Sequence, residues 1–295
     1  MDTSVERVLR QAIFDHLEEM VRDTGVVTRE QLSKFTVDGE VYRLIDHSRG
    51  IRNPASMLGT LSILSDPKGK YADVEVGDSL FAYAYREGST AGDNNKLRRA
   101  YDLRLPFILL RKIEPGLFVP IFPVYAVADD RANRRFLIAL DETLLSVDDP
   151  LHLHPLEKKY AARITKQRLH QPEFRGRVLH AYRGQCTVCN LKHGPLLDAA
   201  HIISDTKPHG NAEVSNGLSL CKIHHAAYDR NYLGISADYR VVINRDLLEE
   251  EDGPMLRHGL QEMHGRGISV PQRLADRPSR EGLAERFAEF TASSR

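Results

Sequence analysis

Apolar positions along residues 4–22 recur at helical spacing, with Val8, Ile13, Leu17 and Met20 roughly on one face of a predicted first helix. A Gly follows. Thr28 and Gln31 then stand at capping-box spacing and open a second short helix, TREQLSKF. Two helices around a glycine turn also fit a helix-turn-helix, a pattern too common to carry weight alone. From about 40 to 141 the pattern changes to short runs rich in β-branched and aromatic residues: EVYRLI, LFAYAYR, PFILLRKI, LFVPIFPVYAV and RFLIAL. DPKG, VGDS, EPG and ADDRAN mark turns between them, and NNKLRRAYDLR reads as a helix between two strands. DETLLSVDDPLHLHP reads as a linker.

Beyond residue 155 come two basic helices, a cysteine pair, the apolar stretch PLLDAAHII and the polar loop SDTKPHGNAEVSNG. The segment CKIHHAAYDR follows, then a strand, YRVVIN, and a C-terminal helix, REGLAERFAEF. The predicted class is α+β. Residues 1–150 form a β-rich, barrel-like domain with N-terminal helices, 151–183 a basic helical linker, and 184–295 a second domain with a helical tail.

A length of 295 residues agrees with about two domains. No apolar run reaches the roughly 20 residues needed to cross a bilayer, and the charged N-terminus lacks a secretory pattern. The chain is expected to be soluble and cytoplasmic. Its formal net charge is zero, but the distribution is uneven. Lys158, Lys159, Arg163, Lys166, Arg168, Arg175, Arg177 and Arg183 crowd one stretch, opposed only by Glu157 and Glu173. Such a strip is either a solvated helix face or a phosphate-binding surface.

All three cysteines, Cys186, Cys189 and Cys221, fall in one region, and an odd count argues against a disulfide framework. Cys186-x-x-Cys189 and Cys221-x-x-His224 each place two soft ligands on one ion. Three thiolates and an imidazole match a closed structural Zn²⁺ site, which would pin a segment with little core of its own. His225 is about 100° around the helix from His224 and faces elsewhere. It shares a face with Asp229, four residues on. An imidazole and a carboxylate suit a harder divalent ion, although on spacing alone a surface His–Asp pair is the commoner outcome.

His201 closes the run LLDAAH, Asn216 lies fifteen residues later and His225 nine after that. This His…Asn…His spacing, bracketed by the cysteine pairs, resembles the HNH nucleases of the ββα-metal fold over about residues 184–235. The resemblance implies a metal-dependent DNA endonuclease. In it His201 is the general base, Asn216 fixes the loop and orients the His201 ring, and His225 and Asp229 hold Mg²⁺ or Mn²⁺ on the scissile phosphate. Many such sites carry an Asp or His ligand just before the base, where this chain has Ala200. Asp198, two residues earlier, or a water then supplies that ligand. With this centre in place, Lys158, Lys159, Arg163, Lys166, Arg168, Arg175 and Arg177 become candidates for positioning DNA.

The GIRNPA segment and the VGDSLFAYAYR strand, placed before an HNH unit, resemble predicted modification-dependent, type IV-like restriction endonucleases. Some of those carry PUA- or SRA-like barrels that flip a modified cytosine into a pocket. That implies double-stranded DNA, including 5-methylcytosine DNA, as partner. Tyr83, Tyr85 and Asp93 are the named candidates for stacking on and reading the base, with Tyr42 and Tyr125 as further aromatics; each tyrosine also fits ordinary core packing. A single site cuts one strand, so double-strand cleavage predicts a homodimer. The competing readings are an HNH nuclease of repair or mobile elements, and a zinc-dependent DNA-binding module without activity.

Overall fold

The computed structural model describes residues 2–47, 49–67, 69, 80–85, 92–251 and 253–293. The chain divides into two compact units, residues 1–21 with 25–173, and residues 22–24 with 174–295. Among the described residues no helix is long and apolar enough to cross a membrane.

The first unit opens with α1 (Thr3–Val21). Its inward face differs from the expected one. Ile13, Phe14 and Leu17 are buried, but so are Glu6 and Arg10, whereas Val8 is exposed. The reason is a polar network that period-based reading does not see. Arg10 donates to Glu6 at 2.7 Å and to the carbonyls of Gly59, Thr60 and Pro106. Glu6 accepts in turn from the Leu58 amide at 2.6 Å. Both charges are paired, and removing one partner would strand the other at a cost of about 3–5 kcal/mol.

β1 (Val27–Thr28) leads into α2 (Arg29–Ser33), where the capping box forms as expected. The Thr28 hydroxyl accepts from the Gln31 amide, and the Gln31 side chain accepts from the Thr28 amide. β2 (Thr36–Val37) and β3 (Glu40–Val41) make a small hairpin, so only the start of EVYRLI is strand. The main sheet joins β4 (Ile51–Arg52), β5 (Ser62–Ser65), β6 (Phe81–Ala84), β7 (Phe107–Glu114), β8 (Leu117–Asp130) and β9 (Arg135–Ala139) in the order β4-β5-β7-β8-β9-β6, with β1 on β8. α3 (Asp93–Asp102) is the helix expected between strands. β8 curls the sheet. It pairs with β7 along its first part and with β9 along its second, with a register shift between Ala126 and Ala128. Among the described residues β4 and β6 do not pair with each other, so the barrel-like closure expected from the sequence is not seen in these strands. α4 (Pro155–Thr165) and a π-helical turn, Lys166–His170, follow.

In the second unit the latter part of α5 (Gln171–Ala181) supplies core rather than linker: Phe174, Val178 and Leu179 are buried with Tyr182. They pack against the hairpin of β10 (Leu197–His201) and β11 (Gly217–Cys221), which runs straight into α6 (Lys222–Asp229). β12 (Leu233–Ile235) and β13 (Val241–Ile243) form a second hairpin. α7 (Arg245–Glu249), α8 (Pro254–Gly259) and α9 (Arg280–Ser293) complete the unit. At Gly217 the helix and the hairpin approach each other closely. A Cβ there would lie 2.4 Å from Val178 Cγ2 and 3.0 Å from Phe174 Cζ. Gly217→Ala is therefore expected to destabilise the unit by about 1–3 kcal/mol through overpacking. An unchanged unfolding midpoint in calorimetry would show that the helix yields without cost.

Candidate active site and zinc cluster

Pairing of β10 with β11 sets Leu197 opposite Cys221 and His201 opposite Gly217. One end of the hairpin therefore carries the cysteine cluster and the other carries His201. Cys221 precedes α6, so the helix begins at the cluster and brings His224, His225 and Asp229 with it.

At the cluster, Cys186, Cys189, Cys221 and His224 offer ligand atoms that all lie within 4.8 Å of one another. Among the described residues no other set of three or more Cys, His, Asp or Glu converges to that degree. His224 turns Nδ1 to Cys221 Sγ at 3.1 Å and to Cys186 Sγ at 3.5 Å, while Nε2 meets the Gly259 carbonyl at 2.8 Å. The Nε2–H thus donates to a backbone oxygen and leaves Nδ1 free to ligate, the arrangement that orients metal-bound histidines. Hydrogen bonds from Cys189 and Cys221 hold the Cys186 thiol well below its usual range, and the bonds of Cys189 to Cys186 and Cys221 push Cys189 up. Burial pulls His224 down, but its bonds to Cys186 and Cys221 prevail and push it up to about 10. Four groups sharing protons at this separation fit Zn²⁺, which would replace those protons with one divalent charge.

At the other end, the His201 ring stacks on Phe174 with centroids 4.0 Å apart and planes 12° apart. The Asn216 side chain closes the loop from both sides. Its oxygen accepts from the Ile203 amide at 2.9 Å, and its nitrogen donates to the carbonyls of Ile203 at 3.0 Å and Asn211 at 2.9 Å. Asn216 thus braces the chain just beyond His201. Phe174 is the ring against which the histidine lies, and nothing in the sequence pattern marked it.

His225 and Asp229 face each other on α6, with Nε2 3.4 Å from Asp229 Oδ2. The other ring nitrogen, Nδ1, meets Asp198 Oδ2 at 3.1 Å. With its proton on Nδ1, the ring turns a lone pair on Nε2 toward a carboxylate oxygen. Two donors so placed fit one divalent ion, since neighbouring ligands of an octahedral ion with bonds of 2.0–2.1 Å stand about 3 Å apart. Asp198, expected as a candidate third ligand, sits behind the ring instead. Its Oδ1 accepts from Lys222 Nζ at 2.6 Å, so both oxygens are engaged. Burial raises the Asp198 carboxyl, but the bonds from Lys222 and His225 outweigh it and hold the group below its ordinary value. His201, His225 and Asp229 line one cleft of about 440 Å³ together with Lys207, Arg286 and Glu289. These last three were not anticipated, since they lie in a polar loop and in a tail helix remote in sequence.

Of the basic strip, Lys158, Lys159, Arg163 and Lys166 are exposed. Arg168 and Arg175 are instead structural. Arg168 donates to the carbonyls of Leu140 and Phe122, and Arg175 to those of Gly194 and Leu197. Arg177 is half-buried. The tyrosines proposed to stack on a base are core residues in this structure. Tyr83 and Tyr85 are each 5% exposed. The Tyr83 hydroxyl donates to the Gly50 carbonyl, and the Tyr85 ring packs against Phe136 and under Arg98. Stacking needs an open ring face, which such burial does not leave. Asp93 is the first residue of α3, and its side chain lies outside the described residues, as do positions 76–79 and 86 of the VGDSLFAYAYR segment.

The hairpin, helix and cluster coincide with a family. Residues 186–236 match the model of the HNH endonuclease family. No curated protein matches the chain. Among solved structures, the chain is similar to a modification-dependent TagI restriction endonuclease, with 18% identity over 89% of this chain and 90% of that one, at a TM-score of 0.31. It is also similar to ScoMcrA, a type IV phosphorothioation-dependent restriction endonuclease, with 17% identity, 58% of this chain and 48% of that one covered, and a TM-score of 0.22.

Proposed function

We propose that the protein is a metal-dependent DNA endonuclease. The observation that carries this reading is the single cleft that gathers His201 from the hairpin with His225 and Asp229 from the helix, inside the segment matching HNH endonucleases. His201, in its neutral form, takes a proton from the attacking water, and stacking on Phe174 keeps its ring from rotating away. Asn216 holds the loop that follows. His225 and Asp229 hold Mg²⁺ or Mn²⁺, and a divalent ion bound there supplies charge neutralisation at the phosphate and at the departing 3′-oxygen. Asp198 acts through His225 by fixing its tautomer. The products carry 5′-phosphate and 3′-hydroxyl ends.

Asp198→Asn is expected to weaken Mn²⁺ binding about 10- to 100-fold, as loss of a carboxylate behind a metal-bound histidine does. Titration calorimetry of the zinc-loaded protein reads this directly, and unaltered affinity would return Asp198 to a purely structural role.

The finer reading follows the sequence resemblance. The enzyme restricts foreign DNA bearing modified cytosine, recognised by the first unit, and acts as a homodimer to cut both strands. Exposed Lys158, Lys159, Arg163 and Lys166 are proposed to contact the DNA backbone. A digest of one plasmid, plain and carrying 5-methylcytosine, tests this. Cleavage restricted to the methylated copy supports the reading, and equal cleavage of both removes the 5-methylcytosine reader while keeping the nuclease.

A further inference from the structure

We infer that Lys207 and Arg286 form a seat for a DNA backbone phosphate at the cleft, and that Glu289 fills this seat when DNA is absent. The inference rests on the nuclease reading above. Arg286 and Glu289 lie on α9, beyond the segment that matches the HNH family. The helix is nonetheless built into the unit. Leu283 and Phe290 are buried, and Gly234 of β12 admits the Phe290 ring so closely that a Cβ there would lie 2.6 Å from Phe290 Cδ1. This docking delivers Arg286 and Glu289 to the cleft that holds His201, His225 and Asp229.

The two cations differ in how firmly they are held. Arg286 donates to the Tyr228 carbonyl at 2.6 Å and to the Asn231 side chain at 2.5 Å, and lies 4.8 Å over the Tyr228 ring. Its side chain is only 13% exposed, so it is a fixed positive charge beside the end of α6 that carries Asp229. Lys207, in the loop between β10 and β11, is more open, and its ammonium meets two carboxylates, Glu285 at 2.9 Å and Glu289 at 2.6 Å. Glu289 spans the pair. One oxygen meets Lys207, and the other lies 3.5 Å from Arg286 Nη1. A bridging carboxylate presents two oxygens and one negative charge, as a phosphodiester does. The pair with Lys207 is open to solvent and the contact with Arg286 is long, so neither holds Glu289 firmly and a phosphate can displace it. Arg286 would keep its backbone contacts while Lys207 swings to the incoming group.

Binding of a fluorescent DNA duplex to the zinc-loaded protein, measured by anisotropy across a salt series with no added Mg²⁺ or Mn²⁺, tests the seat, with Mg²⁺-dependent cleavage followed in parallel. Glu289→Gln removes the competing charge and should tighten binding about threefold or more. Lys207→Ala should weaken binding and reduce the slope of log K against log salt by about one, the signature of a lost phosphate contact. In the Lys207→Ala background, Glu289→Gln should bring little gain. If wild type cuts the duplex while Glu289→Gln binds no tighter, or while Lys207→Ala keeps the wild-type slope, the phosphate seat is wrong and the nuclease reading stands. A wild type that neither binds nor cuts DNA overturns both.

Discussion

His201→Ala is expected to slow DNA cleavage by about 10²- to 10⁴-fold, the range that a positioned general base contributes. It should leave zinc content, thermal stability and DNA affinity close to wild type. The selectivity of that expectation follows from how the residue is held. His201 pairs with Gly217 through the backbone, which alanine preserves. Its ring lies on Phe174 and lines the cleft instead of filling the core. Removing the imidazole takes away the proposed proton acceptor and its stack on Phe174 while leaving the strand pairing in place. Cleavage that survives the substitution would mean that another group activates water. A parallel drop in stability would mean that the stacked ring is packing first and chemistry second.

Loss of the cysteine cluster is expected to have the largest structural effect. Cys186 and Cys221 are buried in the core of the second unit, and His224 ties the cluster to Gly259 through Nε2. One ion there would join the knuckle of Cys186 and Cys189, the end of β11, the start of α6 and the segment near α8. Structural zinc contributes an apparent 10–16 kcal/mol or so in small domains, comparable to the whole stability of a typical domain, about 5–15 kcal/mol. Cys221→Ser, or exhaustive chelation, should therefore remove the bound zinc and unfold the second unit, while the first, with a core of its own, stays folded. Metal analysis with limited proteolysis reads both halves. A protease-resistant fragment within residues 25–173, with the remainder degraded, is the expected pattern, and an intact zinc-free second unit would show that its apolar core suffices.

The legible parts of this site were those whose chemistry is local in sequence. Two Cys-type pairs three residues apart, and His225 with Asp229 four apart on a helix, are set by turn and helix geometry alone, so their juxtaposition could be read before any fold was known. The HNH segment was legible for the same reason. What escaped depends on contacts across long separations. Phe174 stacks on His201 because Gly217 lets α5 approach, and Arg286 reaches the cleft because Gly234 accepts Phe290. Periodicity carries no trace of either. Burial also overrode pattern in the first unit. The Glu6–Arg10 pair took the inward face assigned to Val8, and Tyr83 and Tyr85 lie in the core, the packing alternative that stood beside a base-binding role. The alternating and aromatic strand pattern found most of the sheet, but the order of its strands depends on the curl of β8, which no single segment encodes.

Cleavage of supercoiled plasmid by purified, zinc-loaded protein, with Mg²⁺ or Mn²⁺ titrated in and the product ends identified, tests the central claim most directly. Plain and 5-methylcytosine plasmids should both be included. The account predicts nicked or linear DNA only when the divalent ion is present, ends bearing 5′-phosphate and 3′-hydroxyl, and cleavage by His201→Ala slowed about 10²- to 10⁴-fold. DNA that is bound but never cut, on either plasmid and with either ion, would contradict it and leave a zinc-dependent DNA-binding module.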